Sequence, residues 1–334
     1  MQNTLKKAAV ITAAAIAVLV TVLRCLQYQG YFASYAVIAL IVAALAAVFV
    51  LVLLGKGKQT AVREMSPPGR LPIAVSSLLA GGILAVLSLY DGWIWLRYQQ
   101  TPPPNDHVVS SLDAGALFLT LAFGLLGGFF LIWLGISLAG GTLRRTNRLA
   151  LAALAPVLWM WFRLVRYELS YASAVQVSQS FNDFVMQIFT LLFLFAFARY
   201  VSGMGEKEDA AKNHRLLPAY ALSTAVLSIS GSLTAVIVAL TTGSGFYEAG
   251  RLAGFTDLGI GVFALCVAAT LAFARPVPCP EAEEEPSGQG ETAEPESDSP
   301  SPLEAGQDIP PQEPEEAMPS AEEILREMRG GPRE

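Results

Sequence analysis

Four ionisable residues, Arg163, Arg166, Glu168 and Asp183, form the densest group of charge lying close to long apolar stretches of this sequence. They occupy a polar elbow between two apolar runs within residues 149–200. A guanidinium presents a planar fork of N–H donors that suits carboxylates and phosphates, and a carboxylate attracts cations. On helical spacing, Trp159, Arg163, Arg166, Tyr167 and Ser170 share one face, and Glu168 points elsewhere. The functional reading is a polar entry in which Arg163 and Arg166 bind an anion. The structural reading is snorkelling to lipid headgroups, or an ion pair between Arg163 or Arg166 and Asp183 across the elbow.

Three further features have chemical potential. Asp113, Asp183 and Asp257 stand near the starts of apolar runs, where a ring of acids would draw cations. Ser110 with Asp113, and Ser180 with Asp183, also fit capping-box spacing, and Asp257 fits an N-cap or first-turn acid; we read all three as caps. The run from Leu217 to Leu240 carries Ser223, Thr224, Ser228, Ser230, Ser232 and Thr234. Such hydroxyls line polar paths, but more often bond back to the carbonyl four residues earlier. No acid is expected at mid-span, which argues against a proton-coupled pump. The two histidines, His107 and His214, fall in separate loops, and no HExxH, P-loop or GxSxG pattern occurs. A non-enzymatic protein without metal or cofactor is expected.

The elements that position these groups follow from hydropathy. Hydrophobic residues make up 53% of the 334, and charged residues 15%, against about 25% in average soluble chains. Eight apolar runs are long enough to cross a bilayer, which takes about 20 residues each: 8–26, 31–54, 71–89, 114–138, 149–165, 181–198, 217–240 and 258–273. The fifth is short and is expected to continue through Tyr167, with a kink at Pro156. Pro218 suits the first turn of the seventh. The first run lacks a small-x-small cleavage site and reads as an uncleaved span. Ala9, Ala13 and Ala17; Ala39, Ala43 and Ala47; and Gly124 with Gly128 have the spacing of close helix contacts. The fold class is therefore all-α: a bundle of eight transmembrane helices over residues 1–275.

Lysines and arginines orient the bundle, because basic loops remain cytoplasmic. Fourteen bases fall on one side and five on the other, which places both termini in the cytoplasm. Trp93, Trp95, Trp159 and Trp161 then lie at the outer interface. The absence of an N-x-[ST] acceptor fits a bacterial plasma membrane. Cys25, Cys266 and Cys279 fall at different depths and are expected to be free thiols.

Residues 276–334 hold 17 of the 28 acids, three bases and 12 of the 20 prolines, a composition of disordered chain. Near its end, Ser320 and Glu323 form a capping box, and Ile324, Leu325 and Met328 make an apolar stripe. A stripe of this kind on a polar tether reads as a peptide that folds into a partner's groove. Two functions remain open on this architecture. One is a membrane anchor that recruits a cytoplasmic protein through Ile324, Leu325 and Met328. The other is a channel or uniporter for a small solute entered past Arg163, Arg166, Glu168 and Asp183. Besides such a protein partner, the lipid bilayer is the expected partner, and nucleic acid is not.

Overall fold

A computed structural model describes residues 2–28, 31, 34–54, 67–100, 111–143, 147–169, 177–203, 207–242 and 251–273. All regular structure among them is helical: α1 (Gln2–Tyr28), α2 (Ser34–Leu54), α3 (Pro67–Gln100), α4 (Ser111–Ala139), α5 (Asn147–Ala153), α6 (Ala155–Leu169), α7 (Val177–Ser202), α8 (Lys207–Thr242) and α9 (Arg251–Phe273). Eight spans among the described residues are long and apolar enough to cross a membrane, with α5 and α6 sharing one. The protein is a multi-pass membrane protein of the all-α class. Helices satisfy their own backbone polar groups, which is the requirement hydrocarbon imposes on a spanning segment. Glu168 lies in the last turn of α6; its side chain, with all of residues 276–334 including Ile324, Leu325 and Met328, falls outside what the structure describes.

The fifth span breaks where proline dictates. Helix α5 ends at Ala153 and α6 begins at Ala155, with Leu154 in a turn two residues before Pro156. Pro156 has no N–H to donate, so the ladder is interrupted there. The Leu154 N–H reaches only to the Leu151 carbonyl at 3.1 Å, and the regular pattern resumes from Leu158 to Leu154 at 2.8 Å. The expected extension beyond Tyr167 is present, since α6 runs to Leu169. Pro218 departs from expectation. It lies well inside α8, because the helix begins at Lys207 in the polar segment that precedes the apolar run.

The spans follow a closed circuit. Helix α3 packs on α4, α4 on α6, α6 on α7, α7 on α8, α8 on α9, and α9 returns to α3. Helix α1 packs against α8 and α9 from outside the circuit, and α2 against α1, α8 and α7. Small residues set the closest crossings. A methyl group at Gly81 would stand 2.7 Å from the Gly128 carbonyl oxygen, and one at Gly135 the same distance from the Ala74 carbonyl. Ser77 Oγ donates across the same α3–α4 crossing to the Leu131 carbonyl at 2.7 Å.

Two small-residue stripes behave differently. Ala9, Ala13 and Ala17 are buried, as their spacing predicts. Ala39, Ala43 and Ala47 face outward, because α2 packs through Val37, Ile41, Leu45, Val48 and Val52 on its other side. Burying the larger side chains removes more apolar area against neighbouring atoms, so they win the inner face.

Candidate functional site

The described ionisable side chains near the ends assigned outward by the charge rule come from five helices. Arg163 stands six residues before the end of α6, and Asp257 is the seventh residue of α9. They form a bidentate pair. Arg163 Nη1 donates to Asp257 Oδ1 at 2.5 Å, and Nη2 donates to Oδ2 at 2.8 Å. This is the fork-on-carboxylate geometry that lets two parallel bonds act together. Arg163 is 18% exposed and Asp257 7%, so both groups are largely withdrawn from their surroundings. Each charge offsets much of the desolvation cost of the other.

Helices α6 and α9 are not neighbours in the packing circuit. The pair therefore reaches across it and ties the two sides together. Further along the bundle, Phe263 of α9 meets Phe193 and Phe197 of α7 edge-on, at centroid distances of 5.7 and 5.0 Å. These rings also join helices that lack close backbone packing. Phe193 and Phe263 are completely buried.

Other charges surround the pair. Asp183, on α7, lies within electrostatic reach of Arg24, Arg163 and Asp257. Asp91, exposed on α3, lies within reach of Arg166 and Arg163. Arg24 comes from α1, outside the circuit, and packs at Gly231 of α8, where a methyl group would stand 3.3 Å from its Nη1. Among the described side chains, three arginines and three aspartates are thus gathered over α1, α3, α6, α7 and α9. Trp159, one turn below Arg163, holds its ring 5.5 Å from the guanidinium carbon, a cation–π distance. Gly124 of α4 makes room for this ring; a methyl group there would approach Trp159 Cδ1 to 3.0 Å and collide with Ser88 Oγ.

Several sequence expectations change here. The partner hydrogen-bonded to Arg163 is Asp257, whereas Asp183 acts on it at longer range. Asp183 and Asp257 are each the seventh residue of their helices, nearly two turns inside, and so cap neither. At 1.5 Å per residue that is a depth of about 9 Å from the helix start. Asp257 is buried in the first turn of the eighth span, away from mid-span. Asp113 does lie in the first turn of α4, as a capping box requires, though Ser110 falls outside the described residues. Trp159 is buried behind Arg163 and is not part of an interfacial belt, unlike half-exposed Trp93 and Trp161. Arg24 and Asp91 were missed because each sits among apolar neighbours at the end of a run, with no nearby sequence partner to draw notice. Cys25 and Cys266 are free thiols, as expected.

The hydroxyls of α8 divide into two groups. Ser230 Oγ donates to the Leu227 carbonyl at 3.2 Å, and Thr234 Oγ1 to the Ser230 carbonyl at 2.7 Å. Ser223 Oγ, Thr224 Oγ1 and Ser228 Oγ have no hydrogen-bond partner, although all three residues are fully buried. Gln187 Oε1 of α7 and Thr270 Oγ1 of α9 are in the same position. Gln187 is one turn below Asp183 on the same face of α7. Among the described residues, α7, α8 and α9 thus carry five buried oxygens without a hydrogen-bond partner. Leaving a buried polar atom unsatisfied costs about 1–3 kcal/mol.

No three His, Cys, Asp or Glu side chains among the described residues are grouped to hold a metal ion. Compared with known proteins, the chain matches no family model, no curated protein and no solved structure.

Proposed function

We propose that this membrane protein passes a small polar solute, with the Arg163–Asp257 pair as the closure at the end assigned outward. The observation that carries this reading is the occurrence of two features that meet at α9. An ion pair crosses the packing circuit from α6 to α9. Beyond it, α7, α8 and α9 carry buried oxygens without partners at Gln187, Ser223, Thr224, Ser228 and Thr270. A solute with hydrogen-bonding groups supplies what these oxygens lack, and the ion pair blocks its way until it opens. The reading is of a non-enzymatic transport protein.

Reconstituted vesicles test it. Protein-containing and protein-free liposomes are challenged with glycerol, glycine and sodium lactate in turn, and swelling is followed by light scattering. We expect at least one solute to enter faster through the protein, and Thr224→Val with Ser228→Ala to slow that entry. Equal entry of all three with and without protein would overturn the proposal.

A second reading rests on the terminal segment, where the capping box of Ser320 and Glu323 introduces the stripe of Ile324, Leu325 and Met328. We propose that this peptide recruits a cytoplasmic protein. Ordering about ten residues costs on the order of 1–2 kcal/mol of backbone entropy each, so the affinity is modest and needs the whole stripe. Ile324→Glu with Leu325→Glu should abolish capture by the full-length protein without affecting its insertion. Undiminished capture by the double variant refutes this reading.

A further inference from the structure

Building on the solute pathway, we propose that the solute is a small monocarboxylate, bound by Arg163 in place of Asp257 and taken up together with one proton. The fork of Arg163 already holds a carboxylate, that of Asp257, through both nitrogens and both oxygens. Asp257 is thus an internal stand-in for a ligand of its own chemistry. Its two oxygens are both engaged, so a cationic solute finds no free carboxylate there. The Trp159 ring, 5.5 Å from the guanidinium carbon, gives Arg163 a second contact besides Asp257.

Charge balance adds the proton. Among the described side chains, Asp91 of α3 and Asp183 of α7 act on the pair, with Arg166 of α6 within reach of Asp91 and Arg24 of α1 within reach of Asp183. Helices α2, α4 and α8 bring no charged side chain among those described. With Arg163 and Asp257, the described side chains of the cluster are three positive and three negative groups, which balance. Inserting an anion alone would leave a net charge in a poorly solvated place, which is strongly unfavourable. One proton balances the step. The two N–H···O bonds from Arg163 to Asp257 break, and the solute carboxylate accepts the same two donors. A proton from the adjoining water then moves onto a carboxylate oxygen of Asp257. No bond within the solute changes, and the cluster is neutral before and after.

The test is binding of formate, acetate and lactate to the purified full-length protein, read as a thermal shift and as an apparent Kd from pH 5.5 to 8. One proton taken up per anion requires the affinity to tighten about tenfold for each unit that pH is lowered. In Asp257→Asn, whose amide mimics the protonated acid, affinity should become independent of pH and at least equal the wild-type value at pH 5.5. Arg163→Lys keeps the charge but loses the fork, and should weaken binding at least tenfold. Absence of any shift with all three carboxylates, or a wild-type affinity that does not vary with pH, overturns the inference. Stabilisation by phosphate but not by carboxylates overturns it too. If Asp257→Asn does not fold, the pH slope of the wild type and Arg163→Lys decide. Entry of glycerol or glycine into vesicles without carboxylate binding would sink this inference and leave the pathway standing. Carboxylate binding without entry of any solute would overturn the pathway instead.

Discussion

The value of the Arg163–Asp257 pair depends on its partners staying together. Removing one member leaves the other charged and desolvated, at a cost of about 3–5 kcal/mol. Arg163→Gln alone, or Asp257→Asn alone, should therefore lower thermal stability markedly. The double change leaves two neutral amide groups able to bond each other. It should recover most of the loss, giving a coupling in a double-mutant cycle that well-separated sites do not show. Strictly additive losses in detergent melts would deny the pair this role. The unpartnered hydroxyls predict the opposite sign. Thr224→Val is nearly isosteric and removes an oxygen that bonds nothing. We expect it to raise the melting temperature, with a gain on the order of 1 kcal/mol, while slowing solute entry. A stability loss comparable to that of a core truncation would show that Thr224 Oγ1 has a partner after all.

Among elements, the α3–α4 crossing is the tightest contact and depends on glycine. A methyl group at Gly128 would come within 2.8 Å of the Ala85 nitrogen and 2.9 Å of the Gly81 carbonyl. Both obstacles are backbone, so no side chain can swing aside. Gly128→Leu should separate α3 from α4 and destabilise the bundle by about 1–3 kcal/mol or more. Gly82 offers an internal control, since nothing lies within 4 Å of a methyl group placed there. Gly82→Ala should be neutral or slightly stabilising, because alanine favours the helix over glycine. Equal melting of the Gly128→Leu variant and the wild type would mean that this crossing does not hold the helices. The kink at Leu154 serves the same neighbourhood. It places Pro156 against Gly127, where a methyl group would stand 3.0 Å from the proline Cα, and so sets the line along which α6 carries Trp159 and Arg163.

For the whole molecule, the excess of bases on one set of loops predicts that both termini are cytoplasmic. Cys25 lies near the end of α1 assigned outward and is partly accessible. An impermeant maleimide added to intact cells should label Cys25, and should reach Cys279 only after permeabilisation. The reverse pattern would invert the topology and place the Arg163–Asp257 pair at the cytoplasmic side. The circuit of α3, α4, α6, α7, α8 and α9 also gives α1 and α2 a distinct place. They lie against its outside, yet α1 contributes Arg24 to the charged cluster through the gap left by Gly231.

What the sequence determined on its own was the part of the structure governed by solvent. Runs of about 20 apolar residues have no stable place in water and satisfy their backbone only as helices in lipid. The eight spans, the break at Pro156 and the close contacts at Gly124 and Gly128 could all be read from local composition and stereochemistry. Arg163 could be singled out as well, since a charge so close to a span needs a reason. Its partner could not be read. Asp257 lies 94 residues away, and an aspartate near the start of an apolar run looks the same whether it caps a helix or enters the bundle. Only the packing of α9 against α3 and α8 puts it opposite Arg163. The same holds for Ser223, Thr224 and Ser228, whose types permit a bond to the preceding turn but do not require one. Pairing and burial of polar groups are set by which helices meet and at what height, and only the tertiary arrangement contains that information.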